Sequence, residues 1–148
     1  MGLAFAPNGC ADLVALIKNI CLYIKCMMAA EKVLEWSGAS KRDLMDFPSE
    51  VRRAMGYALG VAQMGAKHPA AKPWKGEGVG VLEVVESSDG NAYRAVYTVR
   101  FARAVYVLHC FQKKSPSGIR TAKTDVDLIH QRLKAAQQHY QEHHEQES

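Results

Sequence analysis

At 148 residues and 16.4 kDa, with 48% apolar and 23% charged residues, the chain has the size of one domain and can bury a core without disulfide or metal staples. Its four cysteines, Cys10, Cys21, Cys26 and Cys110, form no CxxC pair, which argues against a disulfide framework and a zinc ribbon and fits a reducing compartment. The net charge of +4 is uneven, with residues 67–120 alone carrying +5, so the surplus points to a polyanionic partner, or more blandly to a solvated basic surface.

Leu13–Met28 is mostly apolar but interrupted by Lys18, Asn19 and Lys25, too short and too broken for a bilayer span, and it lacks the marks of a signal peptide. It reads as an added amphipathic helix, a membrane or partner helix, or sequence upstream of a true start at Met27 or Met28; the last is favoured. Glu31–Trp36 alternates as a first strand. Ser37–Ser40 turns, and Ser40 is placed to cap a short helix over Lys41–Phe47. Pro48 breaks that helix, and a second runs from Pro48-Ser49-Glu50 to about Met64, with Val51, Met55, Ala58, Leu59 and Ala62 at helical spacing and Gly65 ending it. This helical hairpin needs a sheet to cover.

Residues 67–80 read as a loop punctuated by Pro69, Pro73, Gly76, Gly78 and Gly80, with Trp74 either anchoring it or offering a stacking platform for a base. Val81–Glu86 is a strand, and Ser87–Asn91 carries hairpin-turn chemistry. Tyr93–Phe101 and Ala104–Phe111 follow as two strands of a tight antiparallel hairpin around Ala102 and Arg103. Thr124 is expected to cap a last helix with Val126, Ile129, Leu133 and Ala136 on one side, and Gln137–Ser148 to fray.

Side chains two apart on a strand share a face. Arg94 therefore lies with Val96, Thr98 and Arg100, and Tyr97 with Tyr93, Ala95 and Val99; His109 lies with Phe111 and Lys113. Glu83 on the preceding strand can pair with Arg94 or a lysine. Arg, Lys, His and Tyr within a few strand positions, and no acidic cluster for a metal, suit metal-free phosphoryl chemistry on RNA. Each residue also has an ordinary explanation. Arg94 alone is as readily a partner of Glu83 as a catalyst, His109 a satisfied core histidine, Tyr97 a packing residue, and Lys113 and Lys114 solvated strand-end cations. His139 and His143 have i,i+4 spacing, but His144 lies off that face and the tail is expected to fray, which argues against a metal site.

Taken in order, AKPWKGEGVGVLEVVE (residues 71–86), GNAYRAVY (90–97), VLHCFQKKS (107–115) and DLIHQRL (127–133) resemble the RelE/ParE superfamily of bacterial toxins, nearest its phage-derived HigB-like branch. The resemblance spans about Glu31 to Tyr140. It implies an α+β fold: an N-terminal helical hairpin on a small antiparallel sheet, with a C-terminal helix. It divides the chain into an extension or mis-set start (1–28), a toxin domain (29–140) and a polar tail (141–148). It implies a cytoplasmic type II toxin that cuts mRNA on the ribosome, with the ribose 2′-hydroxyl as nucleophile and no metal or other cofactor. On matching positions, Arg94 would neutralise the scissile phosphate. Lys113 and Lys114 would hold RNA backbone or stabilise the transition state, and Tyr97 or His109 would assist proton transfer. Lys72, Lys75, Arg100 and Arg132 would bind RNA. The implied partners are a helix-turn-helix antitoxin, the ribosome and mRNA, with no stable membrane association. The alternatives are a ParE-like inhibitor of DNA gyrase and a non-catalytic phage-derived RNA-binding protein. Two departures stand out: Thr121-Ala122 replaces the family's frequent Thr-Pro, and the first 28 residues have no counterpart.

Overall fold

The computed structural model describes residues 13–21, 31–113 and 121–145, and the chain divides into two units, Met1–Glu31 and Lys32–Ser148. In the first unit, residues 13–21 form a helix, α1, whose Leu13, Val14, Leu16, Ile17 and Ile20 are about half exposed. The rest of the N-terminal segment, including the candidate starts Met27 and Met28, lies outside the described residues. Among the described residues no helix is long and apolar enough to cross a membrane.

The second unit is built on a five-stranded sheet. In chain order its elements are β1 (Val33–Trp36), α2 (Ser40–Met45), α3 (Ser49–Gln63), β2 (Lys72–Pro73), β3 (Val81–Ser88), β4 (Asn91–Thr98), β5 (Ala104–Lys113) and α4 (Lys123–His143). The strand order is β1-β5-β4-β3-β2. β3 and β4 meet through the two-residue turn Asp89-Gly90, both at positive φ (50° and 77°), as a primed hairpin turn requires. The sheet is mixed rather than wholly antiparallel. β1 runs parallel to β5, Val33 beside Ala104 and Trp36 beside Val107, which the long crossover through both helices permits.

Helices cover both faces. On one, Leu44, Val51, Met55 and Leu59 of α2 and α3 pack on Val84, Tyr97, Val105 and Val107; on the other, Ile129, Leu133 and Ala136 of α4 pack on Val81, Val96, Tyr106 and Leu108. A strand covered twice has no polar side, and Ala104–Cys110 is accordingly buried at every position. Between Val96 and Tyr97 the β4–β5 register slips by one, from His109 to Val107, leaving Leu108 as the extra residue of a bulge. Leu108 and His109, though consecutive, therefore both face α4: one lies in its core and the other bonds to its Asp125.

Several local expectations change. The β4–β5 connection is Val99–Arg103, wider than a two-residue turn. Ser40 does not cap α2; its hydroxyl donates to the Val107 carbonyl at 3.1 Å, tying the helix to the sheet instead. Thr124 lies inside α4, which begins at Lys123 after Ala122 without a side-chain cap. Lys72-Pro73, expected as loop, forms an edge strand beside β3, where proline costs no ladder bond on its open side. The last helix runs on to His143 because Tyr140 is buried, stacked on Phe101 with ring centroids 4.6 Å apart.

Candidate functional site

The α4-side face of the sheet narrows to a groove where the core ends. Register puts Lys72 opposite Glu83, Glu83 opposite Val96, and Arg94 opposite Phe111, so Lys72, Glu83 and Arg94 rise from the same face. With Trp74, Lys75 and Gly76 from the loop after β2, and Thr121 and Val126 at the start of α4, they line a groove of about 540 Å³. A wider cleft of about 630 Å³, lined by Ala62, Gly65, Val79, Leu82 and Val99 with Lys32, Lys67 and Lys75, carries neither an arginine nor an acid among its lining residues and offers less for chemistry.

Arg94 is the centre of the groove. Its Nη1 donates to Glu83 Oε2 at 2.9 Å and reaches Thr121 Oγ1 at 3.5 Å, and both ion-pair side chains are only 16% exposed. A carboxylate on a mostly buried guanidinium satisfies a charge that would otherwise be stranded. It also occupies a position suited to an incoming anion. Arg94 Nε, in contrast, makes no hydrogen bond among the described residues, and neither does the indole Nε1 of Trp74. Trp74 is fixed by its backbone N–H to the Val81 carbonyl (2.9 Å) and by burial of its ring in the α4-side core.

The other cations fall into different settings. Arg100 donates through Nε to the Val79 carbonyl at 2.7 Å and through Nη2 to the Glu77 carbonyl, holding the glycine-rich loop closed. Arg132 donates to the Leu108 carbonyl at 2.8 Å, and its Nη1 lies 3.3 Å from His109 Nδ1. Arginine only donates, so Nδ1 is the acceptor and Nε2–H donates to Asp125 Oδ1 at 2.9 Å. His109 is buried with both nitrogens engaged and stacks on Phe111 at 4.9 Å, so it bridges α4 and β5. Lys113 ends β5 opposite Ala92, on Arg94's face by register. Lys114 lies outside the described residues. Tyr97 is wholly buried on the opposite face, and desolvation pushes its hydroxyl up to about 12, so it takes no part in the groove.

Of the residues expected from sequence, then, Arg94, Lys72 and Lys75 come together; Arg100, His109 and Arg132 are held by the protein's own groups. Two contributors were not expected in the site: Thr121, and the N–H of Trp74. Their signal in the sequence is faint, since neither residue type is charged and both reach the groove only through tertiary packing. At the far end of α4, His139 is hydrogen-bonded to the Tyr106 hydroxyl at 2.7 Å, and His143 Nδ1 lies 3.0 Å from the His139 carbonyl. Among the described residues no three of His, Cys, Asp and Glu are grouped to hold a metal.

An α+β layer of helical hairpin, mixed sheet and closing helix, with a cationic groove at the sheet's end, defines the class. Residues 42–134 match the profile described as "Phage derived protein Gp49-like", more than half of the chain. The chain belongs to this phage-derived Gp49-like family, within the RelE/HigB-like toxins of toxin–antitoxin systems, and the family implies an antitoxin partner. Among solved structures it is similar to a double arginine-to-alanine mutant of the E. coli toxin RelE in the free state, at 17% identity and a TM-score of 0.47, over 71% of this chain and 97% of that one. No curated protein matches the sequence.

Proposed function

We propose that this protein is a type II toxin that cuts mRNA in the ribosome, using the RNA's own 2′-hydroxyl as nucleophile. The observation that carries this reading is Arg94, set in a groove with Lys72 and Lys75 and already bearing an anionic partner, Glu83. In the reaction the 2′-oxygen bonds to the adjacent phosphorus as the P–O5′ bond breaks. The 2′-hydroxyl proton passes to a base and the 5′-oxygen gains one from an acid, leaving a cyclic phosphate. Arg94 would neutralise the phosphoryl oxygens as charge builds, the step at which fixed cations help most. Lys72 and Lys75 would hold the backbone, with Lys113 extending the cationic track at the end of β5. His109 and Arg132, committed to Asp125 and Leu108, would act by keeping α4 over the groove; Arg100 would keep the 77–80 loop in shape for RNA. A helix-turn-helix antitoxin in the cytoplasm would silence the toxin by covering this face.

The test expresses the protein and maps mRNA 5′ ends on stalled ribosomes. Cuts in phase with codons that vanish in Arg94→Ala are expected. Growth arrest with intact mRNA and induced DNA damage would replace this reading with gyrase inhibition, and absence of toxicity with a non-catalytic RNA-binding role.

A further inference from the structure

The groove holds two buried donors that the protein leaves unused. Trp74 is 6% exposed, yet its indole N–H has no acceptor among the described residues; Arg94, which lines the same groove, has its Nε in the same condition. Buried donors in folded proteins are nearly always satisfied, so two in one cavity call for a ligand that accepts. An indole N–H can only donate, which excludes a cation and requires an oxygen or similar acceptor. The Arg94 guanidinium in the same groove and the lysines Lys72 and Lys75 make an anionic oxygen the best fit.

Gly76 supports this directly. Its backbone lies outside the left-handed region, so conformation does not demand glycine there. A Cβ at this position would stand 3.0 Å from Trp74 Nε1, closer than to any other atom. Glycine thus spares the indole nitrogen a side chain pressed against it, and Gly76 lines the same groove as Arg94.

We propose that Trp74 Nε1–H and Arg94 Nε–H form a two-donor seat for a non-bridging oxygen of a phosphodiester. Glu83 and Thr121 hold the Nη1 end of the guanidinium, which leaves Nε for the substrate. The inference rests on the reading of this groove as the place where RNA phosphate binds. It adds a contact that is neither charged nor basic, and that a merely electrostatic site would lack.

The probe is a 2′-O-methyl RNA trinucleotide, which carries the phosphodiester without the nucleophile, added to the full ¹⁵N-labelled chain. The Trp74 indole proton and the Arg94 Hε signal should move downfield and saturate together, while the indole of Trp36 stays still. Gly76→Ala should abolish the Trp74 shift, and Trp74→Phe, which keeps a ring in the core, should slow RNA cutting roughly 10²-fold while the variant stays folded. A moving Arg94 signal with a still Trp74, or a Trp74→Phe protein that cuts like the parent, overturns the seat and leaves the nuclease reading standing. If neither signal moves, the seat is overturned as well. A shifting Trp74 in a protein that cuts no RNA keeps the seat and overturns the nuclease.

Discussion

Arg94 and Glu83 stand on neighbouring strands at a diagonal spacing, and each is five-sixths buried, so removing either strands the other's charge. Arg94→Ala should leave a folded protein but cost about 1–3 kcal/mol, and Glu83→Gln in the same chain should return most of that loss. Urea unfolding of the two single variants and the double checks this; a double-variant loss equal to the sum of the two single losses would show that the pair is not coupled. Three other residues set the alkaline limit. Burial pushes Tyr97, Tyr106 and Cys110 up to about 12, with Glu35 acting in the same direction on Tyr106 and Asp43 on Cys110. The fold therefore holds protons that the unfolded chain releases from about pH 9 to 10 upward. Their contribution to stability is complete below that range and drains away as pH climbs toward 12, so the urea midpoint should fall on the alkaline side, and less steeply in Tyr97→Phe.

At the scale of elements, the bulge at Leu108 decides what β5 can present. It turns two successive side chains toward α4, one filling the core and the next bonding Asp125. Leu108→Ala should cost roughly 2–5 kcal/mol, well beyond Arg94→Ala, because it empties the centre of the α4-side core; comparable melting of the two would refute that ranking. Most elements were legible in the residues: the helical spacing of Val51 to Ala62, the Asp89-Gly90 turn and the apolar run of β5 each carry their own period. The direction of β1 was not, since Val-Leu-Glu-Trp reads alike beside a parallel or an antiparallel neighbour. Nor was the fate of the Ser40 hydroxyl, which a strand 67 residues away takes from its helix. The extent of α4 depends likewise on a remote ring, Phe101. In the candidate site, the charged residues could be sorted by face from strand alternation alone, whereas Trp74 and Thr121 owe their place to packing that no local pattern records.

For the molecule as a whole, residues 67–120 carry a surplus of +5. Binding to a single-stranded oligonucleotide should weaken steeply with salt. Replacing either groove lysine, Lys72 or Lys75, by alanine should lower the slope of log K against log salt by about 0.7. A slope unchanged in both variants would remove them from the proposed RNA interface. The placement of α2 and α3 opposite α4 separates the labour of the two faces: one core carries the fold, and the other shares its edge with the groove.

The parallel pairing of β1 with β5 has a consequence for how the protein is made. During synthesis, β1 emerges roughly 70 residues before the strand that must receive it. At ordinary elongation rates it waits about 4–14 s without a partner. The Arg94 groove, whose far wall begins at Thr121, closes later still. A nascent chain of this topology therefore has no complete groove until every strand of its sheet and the start of its last helix have been synthesised.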